Sequence, residues 1–470
     1  MHEHQLTRIR ESGPTQVWYM LVLAACFVGS RLPMLFLGFG LDPDAWRIAN
    51  TSFDLRYHLA YHTSRFPGYP VPEFVNSLAI TRGWAATNTL TMLLSLVSVF
   101  ILERIAGILA IRNRNLLIFT YAFLPILWIN STNTMDYMWS LCFILLTWLL
   151  ILKHRWLVAG IAMGLAIGSR PQAAILALPF IYLCYSISGG KRRTIEFLVS
   201  SVITTFLLFA PLVSTYGLSF VKAYPVSTDV LQIGYMAIRH FGLPAISMLI
   251  LTVLLSYRDL HNTVAQHNTR DVFFLLALLL ALASFIAIDG HVEYVIIFIP
   301  FALMFIYQTC RRPLLIILSV LLISHAFITV GSFKHLGEKR LQVRIFGPGA
   351  IFNNIEARRT QLSYGRELAN TDIPARSVVI AGTWLPVLAN LDADVSSCAG
   401  AKRMYDCNRP RAGVRDFNRD VCYRYLAGID EIAAMKNDNY HIFYIDGAVE
   451  LTARTYGFDL ALHAMRLSTE

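Results

Sequence analysis

Two carboxylates flank a proline at the point where the first apolar stretch of the chain ends. The segment SRLPMLFLGFGLDPDAWRIA (30–49) places Asp42 and Asp44 on either side of Pro43. A carboxylate at a membrane surface is unfavourable unless water or a cation accompanies it. A solvated loop start would explain one acid. Two acids, followed by a loop rich in Trp, Tyr, His and Pro, favour a site that moves protons or binds cations.

A third acid and an arginine are found at similar positions further along the chain. NTMDYMW (133–139) predicts Asp136 at the mouth of an apolar helix, where it either caps the helix or joins the first two acids. GLAIGSRPQAAILALPF (164–180) leaves Arg170 in a very short connection between two apolar segments. Arg170 is therefore either a snorkelling side chain or an anion-binding arginine at the bilayer surface.

Two polar segments add groups that could line such a site. IDGHVEYVIIFIPF (288–301) crowds polar groups into the turn before a helix, and these are Asp289, His291, Glu293 and Tyr294. YHTSRFPGYPVPEF (61–74) is stiffened by proline and glycine and offers hydrogen bonds from Arg65, Tyr69 and Glu73. His58 and His62 could share a helix face, but no third ligand has a telling spacing, so we predict no metal site.

Apolar helices must position these residues. The chain has 470 residues, of which 56% are hydrophobic and 15% charged, and its mean hydropathy is +0.52, which is too apolar for a soluble protein of this length. Runs long enough to span a bilayer stop near residue 331. We predict a polytopic α-helical membrane protein with about eleven transmembrane helices in residues 1–331. The first, from Val17 to about Gly40, is too long for a signal-peptide core and is expected to be retained.

The distribution of cations predicts the orientation of these helices. Residues 1–331 contain 22 Lys and Arg against 14 Asp and Glu, and residues 332–470 contain 18 against 16, so +8 of the net +10 lies with the membrane half. A cytoplasmic N-terminus puts every tight turn with two or more cations on the cytoplasmic side. The external side then holds the loop 41–83, the other candidate residues and the whole tail from 332. Because topology accounts for the positive charge, no nucleic-acid partner is predicted.

The tail, 332–470, is predicted to be one small external α/β domain. SVVIAGTW (377–384) and YHIFYIDGA (440–448) are typical of buried strands, and a helix-compatible stretch follows each. Three cysteines, Cys398, Cys407 and Cys422, share this region. In an oxidising compartment two of them could pair, most simply Cys398 with Cys407.

Taken in order, these segments resemble the GT-C superfamily of membrane glycosyltransferases, which includes protein O-mannosyltransferases and the aminoarabinose transferases that modify lipid A. The resemblance covers most of residues 17–331 and is carried by RLPMLFLGFGLDPDAW, NTMDYMW, GLAIGSRPQAAILALPF and HVEYVIIFIPF. RFPGYPVPEF is similar to the PPGYPLY stretch of O-mannosyltransferase relatives. One departure is that Glu293 stands before Tyr294, where many relatives have arginine.

The resemblance implies that a sugar is moved, with inversion, from a polyprenyl-phosphate donor to an acceptor hydroxyl on the external face. Asp42 or Asp44 would be the general base, and Asp136 would orient the acceptor or hold the base and a cation in place. Arg170 or Arg65 would bind the donor phosphate, and the site would be lined by His291, Glu293, Tyr294, Tyr69 and Glu73. No cofactor is required, although a divalent cation is compatible with so many carboxylates. The acceptor would be a lipid, a glycan or a protein.

Three other classes of protein remain open at this stage. An O-antigen-type ligase or polymerase would carry its main external loop late in the chain, whereas this loop follows the first helix. A lipid-linked sugar transporter or flippase would place its charges nearer the bilayer midplane. A structural membrane subunit would not need so many polar groups at one face. The compact loops favour the plasma membrane of a bacterium over the endoplasmic reticulum.

Overall fold

The computed structural model describes residues 14–59, 61–218, 230–265, 268–287, 292–335, 341–391, 413–416, 420–425, 429–445 and 465–467. Within these ranges all regular secondary structure up to Ser324 is helical, and the remainder of the chain contains helices and strands. His291, Asp289, Cys398 and Cys407 lie outside the described residues. The predictions made for these four residues, including the disulfide, are therefore not addressed by the structure.

Most helices of the membrane half follow apolar runs of the sequence, and helices also form at Pro43–Tyr57 and Pro70–Ala79, within the predicted external loop 41–83. They are α1 Pro14–Arg31, α2 Pro43–Tyr57, α3 Pro70–Ala79, α4 Gly83–Ile108, α5 Arg114–Phe123, α6 Pro125–Asn130, α7 Tyr137–Leu152, α8 Trp156–Ser169, α9 Ala177–Ser188, α10 Lys191–Tyr216, α11 Val230–Phe241, α12 Leu243–Leu255, α13 Tyr257–Ala265, α14 Thr269–Ala287, α15 Ile299–Thr309 and α16 Arg312–Ser324. Short 3-10 helices, Leu32–Phe36, Ile80–Arg82, Pro171–Leu176 and Val292–Phe298, extend four of them.

The mostly helical, apolar architecture is confirmed. Among the described residues, four helical stretches are long and apolar enough to cross a membrane: Pro14–Phe36, Pro70–Ile108, Pro171–Ser188 and Lys191–Tyr216. Shorter apolar helices occur at Tyr137–Leu152, Trp156–Ser169, Leu243–Leu255, Glu293–Thr309 and Arg312–Ser324. A count of eleven spans stays a prediction.

Two predicted spans end differently in the structure. Residues 115–130 form one apolar run in the sequence but two helices in the structure. Helix α5 ends at Phe123 and α6 begins at Pro125, because proline cannot donate the backbone hydrogen bond that a continuous helix needs. The last run, predicted to reach 331, leaves the helix at Ser324, and β1 begins at Ile328. Its closing residues, Ile-Thr-Val, are β-branched and pair with β2 as a strand. An apolar run does not by itself distinguish these outcomes.

The tail is built from two sheets and three helices among the described residues. The elements are β1 Ile328–His335, β2 Leu341–Pro348, α17 Ala350–Asn370, β3 Ser377–Ile380, α18 Leu385–Leu391, β4 Gly413–Asp416, β5 Val421–Arg424, α19 Ile429–Asn437, β6 His441–Ile445 and β7 Met465–Leu467. The second sheet has the order β4-β5-β3-β6-β7 and is parallel except for β4. Strands β3 and β6 confirm the two predicted from sequence.

The tail packs onto the membrane half. Ile351 and Leu362 of α17 and Val387 of α18 belong to the same buried apolar cluster as residues of α1 and α4 to α7. Apolar burial of this kind is the main favourable term in association. The two halves therefore share one core at their boundary.

Close helix packing fixes the position of Arg170. Gly160, Gly164 and Gly168 lie on one face of α8, and a methyl group built on any of them would overlap atoms of α10. Small residues spaced four apart allow two helices to approach closely in a membrane. Helix α8 ends at Ser169, so this packing sets where Arg170 emerges.

Candidate functional site

Asp136 lies between two arginines at the N-terminal end of α7. Arg65 Nη2 is 2.6 Å from Asp136 Oδ1, and Arg170 Nη1 forms an ion pair with Asp136 Oδ2. Asp136 is fully buried, and Arg65 and Arg170 are 8% and 2% exposed. Since both carboxylate oxygens are engaged, Asp136 holds the two arginine side chains in place.

Asp44 connects the same cluster to the first external helix. Its Oδ2 is 3.0 Å from Arg65 Nε, and its Oδ1 is 2.9 Å from Arg47 Nη1. Burial would raise the pKa of Asp44, but the charges of Arg65 and Arg47 outweigh it and hold the pKa below its ordinary value. Asp44 is therefore an ionised partner of the arginines.

Asp42 has a different environment although it lies only two residues away. It caps α2, and its Oδ1 accepts a hydrogen bond of 2.9 Å from the Asp44 backbone N–H. The side chain reaches water inside a cavity, yet enough protein surrounds it that desolvation, together with the charge of Asp44, raises the pKa of Asp42 to about 7. Of the two predicted bases, Asp42 is the one that can exchange a proton near neutral pH.

Aromatic rings enclose the two guanidinium groups. Arg65 Cζ lies 3.8 Å from the ring centre of Tyr69, and Arg170 Cζ lies 4.0 Å from that of Tyr137 and 4.4 Å from that of Tyr294. Such stacking orients a guanidinium and lowers its exposure to water. The structure thus brings the predicted residues Tyr69 and Tyr294 into contact with the predicted phosphate-binding arginines.

Two donors near these arginines have no hydrogen-bond partner among the described residues. They are Arg65 Nη1 and Gln172 Nε2, and both atoms are buried. Gln172 in turn accepts a hydrogen bond of 3.1 Å from Arg170 Nε through its Oε1. Buried donors are normally satisfied, so these two remain available to donate to an anionic or otherwise accepting ligand.

A cavity of about 880 Å³ adjoins the cluster between the membrane half and the tail. The membrane half contributes Asp42, Asn130, Asn133, Tyr137, His240 and Glu293. Thr329 comes from the start of β1, and the tail contributes Pro348, Asn353, Asn354, Glu356 and Ala357. Its volume is within the range of small-molecule sites, about 300–1,000 Å³. The cavity is therefore large enough for a sugar beside the carboxylate of Asp42.

Glu293 and Glu73, which were also predicted to line the site, have different surroundings. Glu293 faces the cavity, and its Oε1 lies 3.5 Å from His240 Nε2. Glu73 is instead fully buried and accepts hydrogen bonds from Tyr61 Oη at 2.6 Å and from the Ser64 N–H at 2.8 Å. Glu73 therefore organises the loop that carries Arg65.

The sequence analysis missed a tail residue that joins the two acidic loops. Arg358 of α17 is fully buried and donates to Leu37 O at 2.9 Å, to Gly38 O at 3.0 Å and to Asn133 Oδ1 at 3.0 Å. Leu37 and Gly38 precede Asp42, and Asn133 precedes Asp136. Nothing in the sequence around Arg358 distinguishes it from other charged residues of an amphipathic helix, so no local signal could have identified it.

No metal site is formed within the described residues, where no group of three His, Cys, Asp or Glu side chains converges. Each of Asp44 and Asp136 is bound to arginine instead.

Comparisons with known proteins give one kind of match. No family model matches the sequence, and no curated protein matches it. Among solved structures, the chain is similar to ArnT from Cupriavidus metallidurans in the apo state. The two are 15% identical, and the match has a TM-score of 0.43 and covers 62% of this chain and 59% of ArnT. The function proposed below rests on the geometry of the site.

Proposed function

We propose that this protein is an inverting membrane glycosyltransferase that moves a sugar from a polyprenyl-phosphate donor to an acceptor hydroxyl on the external face of a bacterial plasma membrane. The observation that carries the proposal is one arrangement. Two buried arginines are fixed by Asp136, and Tyr137, on which Arg170 stacks, lines a cavity together with the carboxylate of Asp42. Together they supply a cation for a phosphate and a base for a hydroxyl.

Asp42 takes the proton of the acceptor hydroxyl as that oxygen attacks the anomeric carbon of the donor. Hydroxyl groups ionise far above neutral pH, so a carboxylate within hydrogen-bond reach lowers the barrier. A single displacement forms the new bond from the anomeric carbon to the acceptor oxygen and breaks the bond to the phosphate oxygen. The configuration at the anomeric carbon is therefore inverted.

Arg65 and Arg170 bind the phosphate and stabilise the charge that grows on it. The donor phosphodiester carries one negative charge, and the departing phosphate monoester approaches two. The cluster of Arg47, Arg65 and Arg170 has three positive charges, and Asp44 and Asp136 neutralise two of them. The remaining positive charge and the unpaired Arg65 Nη1 match the developing anion.

The arrangement of the helices supports placing this site opposite the cationic loops. Helix α4 begins next to the site, where Trp84 packs on Phe39, and ends near the ion pair between Arg114 and Glu103. Its 26 residues correspond to a length of about 39 Å at 1.5 Å per residue. This length is comparable to the thickness of a bilayer. A cytoplasmic location for Arg114 would therefore place Asp42 outside.

The direct test supplies purified protein with methyl glycosides as acceptors and with hexoses and pentoses linked to polyprenyl monophosphate as donors, and with nucleotide sugars in place of these donors in parallel. We expect one or more lipid-linked donors to stabilise the protein and to release polyprenyl phosphate, and we expect Arg65→Gln to abolish both effects. Arg82→Gln, at an exposed position, is the matched control. Binding of nucleotide sugars alone, or transport of a lipid-linked sugar without bond cleavage, would contradict the proposal.

The pH dependence of transfer follows from the protonation of Asp42. Its raised pKa, about 7, means that the base is protonated and inactive below that pH and ionised above it. We therefore expect kcat/KM to increase with pH and to be half-maximal near pH 7. Because the charge of Asp44 contributes to the raised pKa, Asp44→Asn should move the half-maximal point to lower pH. A profile that is flat between pH 5 and 9, or that moves upward in Asp44→Asn, would exclude Asp42 as the base.

A further inference from the structure

The cavity contains a buried amide oxygen that no described residue satisfies. Asn354 of α17 is 9% exposed and lines the cavity together with Asp42. Its Oδ1 is buried and has no hydrogen-bond partner within the described ranges. Buried side-chain oxygens are rarely left unpaired in folded proteins, because desolvation without a partner is unfavourable. An orphaned acceptor at a cavity wall indicates a donor that comes with the ligand.

The surroundings of Asn354 select the chemistry of that ligand. Neutral amides from Asn130, Asn133 and Asn353 line the same cavity. Its charged lining residues are the carboxylates of Asp42, Glu293 and Glu356 and the guanidinium of Arg239. Carboxylates and amide oxygens accept hydrogen bonds from hydroxyls, and the three carboxylates outnumber Arg239, so the lining disfavours phosphate. Arg65 and Arg170, which the proposed function assigns to the phosphate, are not among the residues that line this cavity. The amide wall therefore suits an uncharged ring that carries several hydroxyl groups.

We propose that Asn354 determines substrate specificity by accepting a hydrogen bond from a hydroxyl of a sugar held between the membrane half and the tail. The proposal rests on the proposed function and extends it, since it assigns recognition of the sugar to the tail. The hydroxyl belongs either to the transferred sugar of the donor or to a sugar of the acceptor. Both sources share this chemistry, and the experiment separates them.

The position of Asn354 is fixed before any ligand binds. One turn further along α17, Arg358 makes its buried hydrogen bonds to the loops before Asp42 and Asp136, and Gln361 Nε2 donates to Leu41 O at 2.9 Å. A recognition group that is already held in place loses little conformational entropy on binding. Asn354 and Asp42 thus keep a constant relation, which a sugar bound to both would require.

The test compares Asn354→Leu, which preserves volume but removes the acceptor, with Asn370→Leu at the exposed end of the same helix. The probes are polyprenyl-phosphate-linked hexoses and pentoses as donors and the methyl glycosides of the same sugars as acceptors. Binding is measured by saturation-transfer NMR, and cleavage by release of polyprenyl phosphate. We expect Asn354→Leu to weaken binding of one probe class on the order of tenfold, with Asn370→Leu unchanged. If Asn354→Leu binds the donor more weakly, the recognised hydroxyl belongs to the donor sugar. If it binds the methyl glycoside more weakly, the hydroxyl belongs to the acceptor.

Deoxy sugars provide the second readout. An analogue that lacks the recognised hydroxyl should bind the Asn354→Leu variant and the unaltered protein equally well, because the missing partner removes the difference between them. If no probe distinguishes the two proteins while both remain folded, or if every deoxy analogue keeps the tenfold difference, the assignment of Asn354 is wrong. Sugar binding without release of polyprenyl phosphate would overturn the proposed function and leave the role of Asn354 intact. Release of polyprenyl phosphate that is equal in Asn354→Leu and in the unaltered protein would support the proposed function and contradict the role of Asn354.

Discussion

Asp42→Asn is expected to lower kcat by about 10²–10⁴-fold, the usual contribution of a general base, and to leave the fold intact. The physical reason is that an amide cannot take the acceptor proton. An asparagine can still cap α2 through its side-chain oxygen, so the hydrogen bond from the Asp44 N–H is retained. The measurement is single-turnover transfer at saturating donor, together with thermal unfolding of the same sample.

The control for this variant is Asp372→Asn, at an exposed position after α17. It removes one negative charge far from the cavity and should leave the rate unchanged. If Asp42→Asn retains more than a tenth of the activity, the base is another group, and the proposed mechanism fails at its first step.

Asp136→Asn should have the largest effect on stability. The substitution removes the negative charge that Arg65 and Arg170 both contact, although both guanidinium groups stay buried. Loss of one member of a buried ion pair costs roughly 3–5 kcal/mol of unfolding free energy. We expect a lower unfolding temperature in detergent and loss of transfer, because the two guanidinium groups are no longer aligned. Tryptophan fluorescence during heating provides the measurement.

A double variant distinguishes this effect from a general sensitivity of the site. Asp136→Asn combined with Arg170→Gln removes one charge of each sign, and it should recover a large part of the lost stability while transfer remains absent. Additive destabilisation in the double variant would mean that Asp136 and Arg170 do not interact in the way their contact indicates.

The contrast between these variants follows from the surroundings of the two acids. Asp42 reaches cavity water and is not ion-paired by the nearby arginines, so its removal changes chemistry. Asp136 has both oxygens bound to arginine, so its removal changes the arrangement of the site. If Asp42→Asn only lowered the stability, as is expected of Asp136→Asn, then Asp42 would not be the base that faces the cavity.

Charged residues in apolar surroundings were the part of the site that sequence could predict. Asp42, Asp136 and Arg170 each interrupt or end an apolar run, where an ionised group needs a reason, and the structure brings their segments together. The helices were predictable from the long apolar runs that these charged residues interrupt. Even so, sequence could not separate Asp42 from Asp44, because the difference lies in contacts made by Arg65 and Arg47.

The contribution of the tail could not be predicted. Arg358 contacts Leu37 and Gly38 across more than three hundred residues, and Asn354 is notable only because its oxygen has no partner. Both belong to an ordinary amphipathic helix, where polar side chains usually face solvent. Glu73 shows the reverse case, since a loop acid that seemed suited to the site is used to fold its own loop.

The five hydrogen bonds of Arg358 determine how the protein can be divided for study. Cutting the chain near residue 331 would remove this side chain from beneath both acidic loops and expose their carbonyl groups. The membrane half alone would therefore lack one wall of the cavity, and exchanging tails between related proteins would replace that wall. Chimeras whose junction lies within α17 would separate these two effects.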